Sequence, residues 1–166
     1  VLDLGESWEE YGATFSPSGR YLAFPTDYKE IQIVDVSTSE RRKIEVPMEE
    51  SQWIDYLAFS PDETKIATLV NSSDDQESSM IAIVDLETGG VNRHATLASL
   101  FPPGADFACG FGAINDWSFD ASKLLIHVYW KSGQCTDGWT FTSALAIVPL
   151  NGGAVEFISA VEGEEF

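Results

Sequence analysis

The chain has 166 residues, 44% of them hydrophobic, which suffices for one ordinary domain with a real core. Its 27 acidic and 9 basic residues give a formal charge of −18, which repels nucleic-acid phosphates and anionic lipid and argues against both as partners. No run approaches the ~18 apolar residues of a membrane-spanning helix. The chain starts at Val1, with no Met and no signal peptide, and so reads as processed, trimmed or cut from something longer. The acidic residues are spread along the whole chain rather than gathered in a tail. That pattern suits solubility in a salty or extracellular setting better than cation binding or docking to a basic partner.

A pattern then recurs three times. Phe15-Ser16-Pro17-Ser18-Gly19-Arg20-Tyr21-Leu22-Ala23-Phe24 is followed by Ile31-Gln32-Ile33-Val34-Asp35-Val36. Phe59-Ser60-Pro61-Asp62-Glu63-Thr64-Lys65-Ile66-Ala67 is followed by Ile81-Ala82-Ile83-Val84-Asp85-Leu86-Glu87-Thr88-Gly89-Gly90. Phe119-Asp120-Ala121-Ser122-Lys123-Leu124-Leu125-Ile126-His127 is followed by Ala146-Ile147-Val148-Pro149-Leu150-Asn151-Gly152-Gly153.

Each unit predicts four short strands. The first ends on an aromatic: Phe15, Phe59 and Phe119. A tight turn follows, for which Pro17-Ser18-Gly19 is well suited because Pro presets φ and Gly accepts φ > 0. The second strands are β-rich and apolar: Tyr21 to Phe24, Ile66 to Val70 and Leu124 to Trp130. The third are Ile31 to Val36, Met80 to Leu86 and about Ser143 to Leu150, each ending at a polar turn. The fourth are more polar, as an outer strand exposed on one face should be: Arg42 to Val46, Val91 to Thr96 and Ala154 to Ser159. No segment of helical period stands out.

These residues resemble the TolB-type, or WD40-like (PD40), β-propeller repeat, also found in the propeller of prolyl-oligopeptidase-like peptidases. The resemblance rests on "FSPSGRYLAF…IQIVDV" and "FSPDETKIATL…IAIVDLETGG" and covers nearly the whole chain. It implies an all-β fold of about three four-stranded antiparallel blades: blade 1 about 11–46, blade 2 about 55–96 and blade 3 about 114–159, with 97–113 a long inter-blade loop. The third unit departs from the pattern. Asp120-Ala121-Ser122 stands where the others have Ser-Pro and a polar residue, and Pro149 stands where they have Asp35 and Asp85. Pro149 is therefore expected at a strand end or edge. Closed propellers have about 4–8 blades, so three imply either further blades from a longer chain or self-association.

In such a fold the connections between second and third strands share a face with the connections between blades. All the insertions fall in those classes: 71–79, 97–113 and 131–141. Cys109 and Cys135 both lie in them. A disulfide between the two would staple the long insertions and place the protein outside the cytoplasm, periplasmic, secreted or at a cell surface; two buried free thiols are the alternative. Phe101, Phe107, Phe111, Trp130, Trp139 and Phe141 cluster in or beside the same loops. They read either as a recognition patch or as the loops' own small core. Asp74, Asp75 and Glu77 form a weak calcium candidate that lacks EF-hand spacing and glycine; the plainer reading is a solvated loop. Asn71-Ser72-Ser73 fits the glycosylation acceptor pattern. His94 reads as a surface residue and His127 as a hydrogen-bonded sheet residue. Asp35 and Asp85 read as turn-amide acceptors.

No nucleophile elbow, metal set or cofactor motif is visible. The expected function is therefore a non-enzymatic, extracytoplasmic binding or assembly module meeting a protein, peptide or glycan through its loop face or open blade edges. One alternative is part of the gating propeller of a prolyl-oligopeptidase-like serine hydrolase, with its catalytic residues outside this chain. Another is a self-assembling structural subunit.

Overall fold

The computed structural model describes residues 12–26, 28–73, 79–101, 111–131 and 141–162, with side chains omitted at 97, 98, 111, 131, 141 and 159–162. Among these residues twelve strands form three four-stranded antiparallel meanders. The first sheet is β1 (Thr14–Phe15), β2 (Tyr21–Thr26), β3 (Glu30–Asp35) and β4 (Arg41–Glu45). The second is β5 (Gln52–Phe59), β6 (Lys65–Ser72), β7 (Met80–Asp85) and β8 (Val91–Thr96). The third is β9 (Phe111–Trp117), β10 (Lys123–Lys131), β11 (Phe141–Pro149) and β12 (Glu156–Glu162). Within each sheet the strands pair in sequence order, the arrangement of propeller blades. Among the described residues the only helical element is a 3-10 turn at Leu97–Leu100, and no helix is long and apolar enough to cross a membrane.

Strand alternation decides which sheet each side chain meets. In β6, Ile66 and Val70 pack toward the first sheet, while Ala67 and Leu69 pack toward the third. In β7, Ala82 and Val84 take the first side and Ile81 the other. Two cores result. One joins Ala23, Ile31 and Ile33 to the second sheet; the other joins the second sheet to Leu124, Ile126, Val128 and Val148. The middle sheet is apolar on both faces because both are covered.

Turn chemistry fixes the true register of the three units. Ser16, Ser60 and Ser118 each accept a bond through Oγ from the backbone N–H five residues on, at Tyr21, Lys65 and Lys123. The Ser60 and Ser118 hydroxyls donate to Asp62 and Asp120, both at 2.6 Å, and Ser18 stands at that position in the first unit. The next residue is left-handed in all three: Gly19 (φ 72°), Glu63 (φ 57°) and Ala121 (φ 56°).

The third unit is therefore Trp117-Ser118-Phe119-Asp120-Ala121, and the expectation that Phe119 matches Phe15 and Phe59 is corrected by two residues. Phe119 occupies the proline position of the turn and is 96% exposed. Trp117 takes the buried place, 6% exposed in the core between the second and third sheets, where its Nε1–H donates to the Ala58 carbonyl at 2.9 Å. The two aromatics sit two apart and look alike in sequence. The serine that anchors the turn distinguishes them.

Pro149 is the last residue of β11, as its missing N–H requires. Its carbonyl accepts a bond from His94 Nε2 at 2.9 Å. His94 is thus a part-buried tie between the second and third sheets, which corrects the surface reading. The β7–β8 register shifts between Ile81 and Ala82, opposite Ala95 and Arg93, and His94 is the residue between them.

The turn carboxylates are held ionised. Oδ1 of Asp62 accepts from the Ser60 and Thr64 hydroxyls and the Thr64 amide, and its pKa falls to about 2. Bonds from the Ser118 and Ser122 hydroxyls and the Ser122 amide likewise take Asp120 to about 2. Asp35 and Asp85 are lowered by equivalent bonds, from Ser37 and Arg20 and from Thr88. A carboxylate whose folded pKa is depressed stabilises the fold above its unfolded pKa of about 4, and that stability is lost as pH falls toward the folded value. Asp55, raised by burial, works in the opposite sense. The urea midpoint is accordingly expected to fall between about pH 4 and pH 2. The double variant Asp62→Asn, Asp120→Asn should flatten that dependence; an unchanged slope would refute the assignment.

Candidate functional site

The meander sends alternate connections to opposite ends of each sheet. Short turns join β1 to β2, β3 to β4 and their counterparts in the other sheets. The connections 73–79, 97–110 and 132–140 leave from the other end. The sheets are aligned, because the end of β9 meets the end of β5 through Trp117 and Ala58. The insertions therefore start and finish at one common end.

The base of that end is built from described residues. Ser72 N–H donates to Ser79 Oγ at 3.1 Å, closing the second sheet's connection, and Ser73 N–H donates to the Ser51 carbonyl at 3.0 Å. Ile54 N–H donates to the Tyr28 carbonyl at 2.8 Å, tying the second sheet to the first. The 3-10 turn places Leu100 and Phe101 in the core, and Ser99 Oγ donates to the Thr96 carbonyl at 2.6 Å. Phe101 meets Trp130 edge to face, ring centroids 6.0 Å apart and planes at 86°. Burial and edge-to-face geometry fix this pair in the core at the loop end of the sheets.

Of the aromatics singled out in the sequence, Phe101 and Trp130 are thus brought together, facing the core. Phe111 and Phe141 open β9 and β11, in backbone register with Tyr129 and Lys131 of β10. Phe107, Trp139, Cys109, Cys135, Asp74, Asp75 and Glu77 lie outside the described residues. Asn71 is half-buried in β6, in register with Trp53. Among the described residues no group of three His, Cys, Asp or Glu is arranged to hold a metal ion. His127 pairs with Tyr129, Oη to Nδ1 at 2.5 Å, on the face of β10 opposite the core-facing Ile126 and Val128.

One residue escaped the sequence reading. Tyr28, at the β2–β3 connection of the loop end, is 53% exposed and has φ 60°. A left-handed aromatic costs backbone energy that the surroundings must supply, and such strain often marks a working surface. Nothing in the residue's identity announces its φ.

No protein-family model matches the chain, and no curated protein matches it. Solved structures do. TolB from Acinetobacter baumannii superposes with a TM-score of 0.58 at 21% identity, covering 96% of this chain and 34% of that one. A putative TolB from Agrobacterium tumefaciens gives 0.61 at 15% identity, covering 99% of this chain and 53% of the other. A prolyl endopeptidase structure gives 0.57 at 16% identity, over 93% of this chain and 22% of that chain. The chain thus spans between a fifth and about half of the length of these proteins. Repeat chemistry, sheet topology and these likenesses agree: the chain is a run of β-propeller blades with a TolB-like fold.

Proposed function

We propose that the chain is a non-enzymatic binding module whose recognition surface is the loop end of its blades, working outside the cytoplasm. The observation that supports it is topological: all three long connections leave from one end of the stacked sheets, the end at which Phe101 meets Trp130. Binding residues favour loops held on a rigid scaffold. The sequence places Phe107 in the connection 97–110 and Trp139 in 132–140, and aromatics anchor interfaces. The partner class is a protein, peptide or glycan. The extracytoplasmic setting rests on a Cys109–Cys135 bridge across the same two loops.

The double variant Phe107→Ser, Trp139→Ser is expected to lose the partner captured by the wild type from its source extract, while the thermal midpoint is unchanged. Retained capture would refute the loop-end reading. The likeness to a prolyl endopeptidase favours a second reading, in which these blades belong to the propeller of a peptidase. A nucleophile elbow elsewhere in the full-length chain would support that reading instead.

A further inference from the structure

The chain has four arginines, and three of them line one cleft in a protein of net charge −18. The cleft, about 560 Å³, opens at the short-turn end of the first sheet, opposite the insertions. Strand register assembles it: Tyr21 lies opposite Asp35 across β2–β3, and Ile33 opposite Arg42 across β3–β4. Arg20 and Arg41 stand beside these pairs.

The side chains are positioned for an incoming oxyanion. Arg20 lies over the Tyr21 ring at 4.9 Å and donates from Nε to Asp35 Oδ2 at 2.7 Å. Asp35 Oδ1 is already occupied by the Ser37 amide at 2.9 Å, the Thr38 amide at 3.2 Å and the Ser37 hydroxyl. Asp35 therefore orients Arg20 and has little capacity left. The two terminal nitrogens of Arg20 have no hydrogen-bond partner among the described residues. Arg42 donates from Nη1 to the Leu86 carbonyl, and its Nη2 has no partner among the described residues. Two guanidinium forks, each held at one corner, thus retain donors suited to a carboxylate.

We propose that this cleft binds a small monocarboxylate, its carboxylate received by Arg20 and Arg42 and its apolar body lying against Tyr21 and Ile33. Asp35 and Glu40 line the cleft and Glu63 also acts on Arg20, so the surrounding carboxylates disfavour a multiply charged ligand. A phosphate group carries about −1.5 to −2 at neutral pH and fits such a site less well than a single carboxylate. Long polyanions are repelled by the rest of the surface. The volume lies within the ~300–1,000 Å³ of small-molecule sites. The proposal is independent of the loop-end reading, since the two surfaces lie at opposite ends of the sheets.

The test is an NMR titration of backbone amides with acetate, benzoate and inorganic phosphate at matched ionic strength. Benzoate is expected to give saturable shifts at Tyr21, Ile33 and Arg42 and to bind tighter than acetate, because only it fills the apolar floor. Arg42→Gln and Arg20→Gln should each weaken benzoate about tenfold, and Arg93→Gln, outside the cleft, should leave it unchanged. Amides of the third sheet, unmoved in each variant, report an intact fold. Shifts that never saturate, tighter binding of phosphate than of benzoate, or wild-type binding by both cleft variants would overturn the proposal.

Discussion

Trp117→Ala is expected to destabilise the protein by about 3–5 kcal/mol, the usual cost of emptying a buried large aromatic site. The indole is 6% exposed in the core between the second and third sheets, among Ala58, Leu69, Leu124 and Ile126. The same change also removes the Nε1–H bond to the Ala58 carbonyl, 2.9 Å long. Trp117→Phe keeps most of the ring and loses only that donor, so a smaller cost of about 1–3 kcal/mol is expected. Phe119→Ala, two residues away and 96% exposed, should stay within about 0.5 kcal/mol of wild type. Urea unfolding of the three variants checks the order. Equal losses at Trp117 and Phe119 would contradict the register of the third unit.

Gly12→Val is the second large effect, expected at about 2–6 kcal/mol. Gly12 has φ 99°, a conformation open only to glycine at low cost, and a Cβ there would lie 3.0 Å from Tyr56 N and 3.3 Å from Tyr56 Cα. The obstacle is backbone, which cannot rotate away. The penalty combines about 1–3 kcal/mol of backbone strain with about 1–3 kcal/mol of overpacking. Here the first sheet approaches β5 at its bulge, where the β5–β6 register shifts between Asp55 and Leu57 and Thr68 Oγ1 donates to the Asp55 carbonyl at 2.9 Å. Gly19→Ala is the control. Its φ is 72°, but nothing lies within 4 Å of a Cβ, and Glu63 and Ala121 hold the same position in the other units. Its cost should be about 1 kcal/mol. Thermal midpoints of the two variants separate packing from conformation; a Gly12→Val midpoint equal to that of Gly19→Ala would refute the close approach.

The fold was legible because its chemistry repeats. Runs of apolar, β-forming residues mark β2, β6 and β10, and a serine-anchored turn precedes each of them. Asp35 and Asp85 bond to the turn amides that follow, at Ser37 and Thr38 and at Glu87 and Thr88. These signals are local, so sequence carries them. What it hid was non-local. Trp117 and Phe119 are equivalent as aromatics, and only Ser118 Oγ bonding to Lys123 N–H shows which one is buried. His94 looks polar and exposed in its strand, yet the shift in β8 turns it toward Pro149. Tyr28 carries no mark of its positive φ. Arg20 is remote in sequence from Arg41 and Arg42, and β3 brings them to one cleft by pairing with both neighbours. Of the aromatics singled out in sequence, the sheets bring Phe101 and Trp130 together, buried and edge to face.

The most direct test of the blade register is the hydrogen-exchange rate of the Trp117 indole N–H, assigned by its absence in Trp117→Phe. Stacked blades with Trp117 between them predict slow exchange, because the proton is buried and bonded to the Ala58 carbonyl. Exchange at the rate of a free indole would mean that Trp117 is not the residue joining the third sheet to the second, and the stacking described here would be wrong.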